Sequence, residues 1–378
     1  MELTNGINLD LIYKGDVQSV VSGGVNDNTN YLGTIDVQLT LDGDQLFHIP
    51  GATVFLYLLN HHGGHPNDHV GSVQGVNNIE APVAATKLYE AWIEKCWFED
   101  RLSLRFGLYD TNTEFYVNDA AGLFIHPAFG MGQEMAQAGL NGPSAYPYTS
   151  LTARALVKPT EWSYLQFAVA DGVPGDVDRP RGTHVDLDEK DGTLQLGELG
   201  LILPAASDAG SARGKIGFGG WRFTMPFDDV SDVDVDGNPI RDDNYGIYAL
   251  ADYRIYTESP QDDQGLTLFA RCGYANDRVN QTDHAFEIGA AYLGLLPGRD
   301  VDQLGFGISA ARNGSPFRAA NIGVNGDALD KFEITYELAY KAIVSDHLSL
   351  QPLAQYVDNS DPGIDDALVL GMRAQLAY

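Results

Sequence analysis

Arg105 and Arg154 carry the residue type best suited to a fixed polar contact, because a guanidinium offers its N–H donors in a rigid plane that matches adjacent hydroxyls or a carboxylate. Upstream, Glu90, Trp92 and Glu94 recur at every second position, so in an extended chain all three leave the same face. Such a set can present donors, acceptors and an aromatic face to a polar solute. Its charges can equally pair with one another and stiffen a wall. Between the two arginines, Asp110, Glu114, Phe115, Tyr116, Asn118 and Asp119 offer a similar choice, either narrowing a passage or anchoring a loop by hydrogen bonds.

Two clusters have the composition of metal sites. Asp232-Val233-Asp234-Val235-Asp236-Gly237 opens like a calcium loop, and Asp243 stands at the twelfth position, where a bidentate Glu is usual. No helical pattern flanks it, so an acidic hairpin loop is the alternative to a structural calcium site. His61, His62, His65, Asp68 and His69 hold enough ligands for a metal, with a plain loop as the alternative. Catalytic signatures are missing: there is no G-x-S-x-G, H-E-x-x-H, phosphate-binding loop or C-x-x-C. Acidic pairs are plentiful, yet none reads as a matched acid and nucleophile. The chain is expected not to be an enzyme.

The elements that would position these residues are strands. In the last stretch Leu368, Leu370, Met372, Ala374, Leu376 and Tyr378 share one face, while Val369, Gly371, Arg373 and Gln375 share the other. Leu9, Leu11 and Tyr13 against Asp10, Lys14 and Asp16 repeat the pattern, as do Leu102, Leu104, Phe106 and Leu108 against Ser103 and Arg105. That is lipid-out, lumen-in alternation. Candidate strands fall near 7–20, 31–42, 51–60, 86–97, 102–111, 148–158, 162–171, 194–203, 212–224, 244–257, 266–276, 285–296, 302–313, 331–344, 348–358 and 367–378. About sixteen antiparallel strands make an all-β barrel wide enough to leave an aqueous channel. Residues 194–203 and 213–224 alternate poorly. The whole chain, 1–378, is read as one barrel, with short connections alternating with long ones. The longest, 112–147, is expected to fold inward as a constriction loop.

Composition limits the setting. The net charge of -29 argues against binding nucleic acid, and acid in turn-rich stretches such as 228–243 reads as solvated loop charge. No run approaches the ~18 apolar residues of a membrane helix. Cys272 lies on the outward parity, and Cys96 shares parity with Glu90 and Glu94 or lies in the turn after them, which argues against a disulfide. Met1-Glu2-Leu3-Thr4 lacks the basic and apolar regions of a secretory leader, so the sequence is read as a mature chain.

Several blocks in order carry a family resemblance. They are Gly75-Val-Asn-Asn-Ile-Glu-Ala-Pro82, Leu88-Tyr-Glu-Ala-Trp92, Leu102 to Tyr116, Asn141-Gly-Pro143 with Pro147-Tyr-Thr-Ser150, Asp171-Gly-Val-Pro-Gly-Asp176 and Arg181-Gly-Thr-His184. With them the chain resembles the carbohydrate-selective porins of the OprB type. The resemblance implies a 16-stranded transmembrane barrel in the outer membrane of a Gram-negative bacterium, passing glucose and related sugars by facilitated diffusion without a cofactor. It implies small sugars as partners, outer-membrane lipid and lipopolysaccharide around the wall, and a monomer or homotrimer. In that setting Arg105 and then Arg154 are the first candidates for sugar hydroxyls, and Arg373 is lumen wall outside the constriction. A soluble secreted β-protein that binds or cleaves carbohydrate, and a barrel enzyme or adhesin, remain as competing readings.

Overall fold

A strand with one apolar face can sit in lipid only if every backbone N–H and C=O is paired, and a sheet achieves this by closing on itself. The computed structural model describes residues 2–185, 187–204, 213–259 and 263–378, with side-chain surroundings described from residue 5 onward. Its strands are β1 Glu2–Thr4, β2 Ile7–Gly24, β3 Asn28–Asp42, β4 Ala52–Gly63, β5 Ala85–Trp97, β6 Leu102–Tyr109, β7 Ser150–Thr160, β8 Ser163–Asp171 and β9 Thr193–Leu203. They continue as β10 Gly214–Val233, β11 Pro239–Thr257, β12 Gly265–Ala275, β13 Thr282–Leu293, β14 Gln303–Asn313, β15 Phe332–Ser345, β16 Leu348–Asp358 and β17 Asp365–Ala377. All seventeen form one sheet; β1 pairs only with β2, and the other sixteen run antiparallel in chain order. Closure comes where β17 pairs β2, with Arg373 opposite Asp16 and Met372 opposite Val17.

The alternation read from the sequence becomes two different surfaces. In β15, Glu333, Thr335 and Glu337 are buried while Tyr336 and Leu338 are exposed. Leu370, Met372 and Leu376 of β17 face outward, and Arg373 is turned in. Exposed aromatics gather at both ends of the outer wall. Trp97, Trp162 and Tyr256 lie at the short-turn end, and Tyr31, Tyr245 and Tyr356 lie toward the long loops. Amphipathic rings at two levels mark the two interfaces of a membrane. Among the described residues no helix is long and apolar enough to cross one.

One stretch differs from its reading as a loop. The acidic residues 228–243 are mostly ladder: β10 continues to Val233 and β11 starts at Pro239, with Asp228 opposite Arg241 and Pro226 opposite Asp243. Charge does not break an extended hairpin that stands in water beyond the lipid. Cys96 is partly buried, Cys272 is exposed, and both are free thiols.

The lumen is not empty. Residues 110–149 fold into it, and residues 64–84 lie across it from the neighbouring connection. Phe115, Tyr116, Met131, Met135 and Ala138 pack on the inner wall at Leu194, Leu196, Trp221, Phe223, Tyr248 and Leu250. A second cluster joins Leu123, Phe124, Ile125 and Phe129 to Phe269, Ala339 and Leu353, and Val70 and Val76 of the other segment meet Val20, Val357 and Val369. This explains why β9 and β10 alternate poorly: they face lipid outside and apolar loop inside, so both faces are apolar.

Candidate functional site

Register sets the central cluster. Glu94 of β5 is opposite Arg105 of β6, and Arg105 is opposite Arg154 of β7, so three charged side chains form one row on the inner wall. A bulge in β5 makes room above them. Tyr57 pairs with Glu90 and Leu58 with Leu88, so Tyr89 has no opposite residue. Tyr89 and Glu90 are both buried on the lumen side, an arrangement strict alternation forbids and a bulge allows.

The inward segment closes the row by adding Glu114. Arg154 is itself buried. It donates through Nε to Glu114 Oε2 and through Nη2 to Glu114 Oε1, both at 2.8 Å, and its Nη2 reaches Glu94 Oε1 at 2.8 Å. Its Nη1 donates to the Ser103 hydroxyl at 2.6 Å. Arg105 shares the same two carboxylates, at 2.9 Å from Glu94 and 3.4 Å from Glu114. Its guanidinium lies 4.0 Å from the Trp92 ring centre and 4.9 Å from that of Tyr109. Two guanidiniums and two carboxylates balance, so the row has strong local donors with little net charge. A neutral polar solute therefore meets hydrogen-bonding groups without a net field.

The space beside this row is a cavity of about 650 Å³. On one side stand Phe55 and Trp92, stacked at 5.0 Å with an interplanar angle of 27°, with Tyr57 and Leu59 on the same face of β4. The Trp92 indole N–H donates to Glu90 at 2.9 Å, which fixes the ring plane. Opposite are Asn78 and Ile79 of residues 64–84 and Asn112, Thr113 and Tyr146 of the inward segment. Arg373 lines this cavity as well: it donates to Asp16 through Nε at 2.8 Å and Nη2 at 2.7 Å, and to the side-chain Oδ1 of Asn78 at 2.7 Å. It was read as wall outside the constriction, and its contact with the second loop brings it in. Lys14 pairs with Asp36 at 3.0 Å on the adjoining wall.

The other sequence candidates lie elsewhere. Asp110 borders the cavity, accepts from the Tyr89 hydroxyl and the Asn112 N–H, and has its carboxyl pushed up to about 6 by burial. Phe115 and Tyr116 are fully buried in the apolar cluster, with the Tyr116 N–H on Glu198 at 2.9 Å. Asn118 donates to Asp252 at 2.9 Å, and Asp119 is exposed, 3.9 Å from Lys215. Phe115, Tyr116 and Asn118 hold the segment in place, Asp119 stands in the open away from this cavity, and of the six only Glu114 and Asp110 border it. The aspartates expected at a calcium site do not converge. Asp234 accepts the N–H groups of Asp236 and Asn238 within its own turn, Asp232 lies 3.3 Å from Arg278, and Asp243 stands in the ladder. Among the described residues no group of three or more His, Cys, Asp or Glu is arranged to hold a metal. His61 turns inward against Tyr146, and His62 turns outward to Tyr31.

Phe55, Tyr57, Asn78, Ile79, Tyr146 and Arg373 are among the cavity-lining residues that were not singled out as site residues from the sequence. Phe55 and Tyr57 hide in an unbroken apolar run from Val54 to Leu59. Asn78 and Ile79 fall inside the block Gly75 to Pro82, which was noted only as a mark of resemblance.

Comparison with known proteins bears on the same architecture. The family model described as carbohydrate-selective porin, OprB family, matches residues 27–378. Porin B of Pseudomonas aeruginosa is 24% identical over 410 aligned positions, spanning 100% of this chain and 88% of the relative. The high-pH structure of Pseudomonas putida OprB is 20% identical, covers 99% of this chain and 94% of its own, and superposes with a TM-score of 0.86. The outer-membrane channel DcaP of Acinetobacter baumannii shares the fold at 10% identity, covering 100% of this chain and 99% of its own, with a TM-score of 0.61.

Proposed function

Because the chain belongs to the carbohydrate-selective porin OprB family and is a sugar-selective channel of the Gram-negative outer membrane, we propose that it passes glucose and related sugars by facilitated diffusion through the cavity between Trp92, Arg105 and Asn78. The observation that carries this reading is the pairing of a stacked aromatic surface, Phe55 on Trp92, with the Arg105 guanidinium 4.0 Å from the same indole. A pyranose has an apolar face and a polar rim, and this corner offers one partner for each. Arg105 keeps part of its surface open to the cavity, so it can lend donors to adjacent hydroxyls. Arg154 is saturated by carboxylates and acts as a positioning residue that holds Glu94 and Glu114 in place.

Passage also needs release. Every charged group at the corner already has a protein partner, so a sugar exchanges hydrogen bonds with a preformed network and leaves at little cost. The outer wall is in contact with outer-membrane lipid and lipopolysaccharide. The proposed pore is complete within one chain, so it serves a monomer or each member of a homotrimer.

Liposome swelling with glucose tests the assignment. Arg105→Ala should change the swelling rate severalfold while the variant still assembles, because Arg105 carries no core packing. Swelling equal to the parent protein would remove Arg105 from the sugar path.

A further inference from the structure

Glu134 sits on the short helix Gln133–Ala136 of the inward segment and is fully buried. Its Oε1 accepts from the Tyr116 hydroxyl at 2.7 Å, and its Oε2 has no hydrogen-bond partner. The facing wall supplies Arg271 from β12 and Glu287 from β13, both buried. Arg271 Nε donates to Glu287 Oε2 at 3.0 Å. Its Nη1 serves the carbonyls of Tyr116 at 2.9 Å and Gly130 at 3.1 Å, and its Nη2 serves that of Ala128. Glu287 Oε1 is also without a partner. Two buried carboxylates thus stand near one guanidinium, four of whose five donors are engaged, and each keeps one orphan oxygen.

The remaining surroundings offer no second cation. Tyr116 stacks on Tyr248 at 4.0 Å, and the Tyr248 hydroxyl goes to Glu198 at 2.8 Å. Among the described residues no lysine, histidine or further arginine is paired with Glu134 or Glu287. The niche is built for the carboxyl: a Cβ at Gly273 of β12 would come within 1.7 Å of Glu134 Oε1 and 2.5 Å of the Tyr116 hydroxyl oxygen. Ionising both acids here would place like charges in a desolvated site, whereas a proton held by one of them turns an orphan acceptor into a donor.

We propose that the inward segment is clasped into the lumen by a proton on Glu134, and that loss of this proton at alkaline pH loosens the segment and widens the pore. The inference rests on the chain being a channel and not on which side chains meet the sugar. Burial, and after it the Glu287 carboxylate, push the Glu134 carboxyl up to about 8. A carboxyl whose pKa docking raises favours docking most at acid pH. That contribution is lost as pH climbs from the ordinary carboxylate range through about 8.

The test is single-channel conductance of the full chain in planar bilayers from about pH 6 to about pH 9, beside Glu134→Gln, which mimics the protonated side chain. The parent conductance should rise by about twofold across that range, and the variant should stay flat at the lower value. A flat parent profile, or a variant that keeps the rise, would overturn the clasp. Infrared titration of the parent protein can overturn the clasp however well the variant assembles. A protonated-carboxyl band near neutral pH that is lost on alkalinisation and missing from Glu134→Gln supports the proposal; a parent spectrum without it near pH 6, or a band unchanged in the variant, defeats it. Glucose block of Arg105→Ala at acid pH reports on the sugar path alone, so either assignment can fail without the other.

Discussion

The two sides of the lumen use the same residue types for different ends. Along β8–β16 several inner-wall carboxylates accept from the inward loops: Glu337 takes the N–H groups of Ile125 and His126 at 2.9 and 2.8 Å, and Asp252 takes those of Asp119 and Ala120 at 3.2 Å. Glu333 does the same for Val73 and Gln74, at 2.9 and 3.1 Å. Each carboxylate there closes the ends of an irregular backbone that would otherwise bury unpaired donors. Along β2–β6 the carboxylates answer side-chain cations, and a cavity stays open beside them. An acidic residue facing inward therefore says little until its donor is known. Backbone donors make it an anchor of the plug, whereas a guanidinium donor decides nothing alone: Glu94 meets Arg105 beside the cavity, and Glu287 meets Arg271 within the plug.

Substitutions that strip a charge from each side should separate these roles, beginning with the strongest effect. Arg154→Ala removes the more deeply buried of two cations and leaves Arg105 alone between Glu94 and Glu114, so one carboxylate goes uncompensated, a loss of about 3 kcal/mol. A lowered unfolding midpoint together with impaired sugar flux is expected. On the filled side, Arg271→Ala frees three loop carbonyls and Glu287 at once. Its conductance should rise while glucose block is largely retained, read in planar bilayers. Glu337→Gln is milder: it keeps an acceptor for one loop N–H and sets its NH2 against the other, which loses its partner, at about 1–2 kcal/mol. Greater current noise with an unchanged mean would show it. Phe55→Leu removes the ring behind Trp92 but keeps an apolar face, so a loss of glucose affinity near twofold, at about 0.5 kcal/mol, is the smallest effect expected.

Much of the barrel was legible because lipid imposes period two on every strand it touches. Each of the sixteen proposed strands overlaps one of β2–β17, with several ends misplaced, β1 unread and position 212 outside the described residues. The alternation was weakest at β9 and β10, where apolar loop replaces water on the inner face, and the acidic tip of β10–β11 looked like loop because its ladder continues in solvent. The site was legible in part. Parity aligned Glu90, Trp92 and Glu94, and a β5 bulge that no residue type announces also turned Tyr89 inward. Parity has nothing to say about loops. Phe115, Tyr116 and Asn118 carry types that suit a constriction, yet their partners Glu198, Trp221 and Asp252 are remote in sequence and make them anchors. Asn78 reaches the cavity through Arg373, which is 295 positions away, and only the closed fold brings the two together.

The central claim is that sugar is recognised on the open side, at Arg105 and the Phe55–Trp92 surface, and excluded from the filled side. The most direct measurement is glucose block of single-channel current in Arg105→Ala and Arg271→Ala, side by side with the parent channel. The account predicts that Arg105→Ala loses block affinity by about tenfold, near 1.4 kcal/mol, with conductance little changed, while Arg271→Ala gains conductance and keeps the affinity. Parent-like block in Arg105→Ala, or loss of block confined to Arg271→Ala, would contradict it.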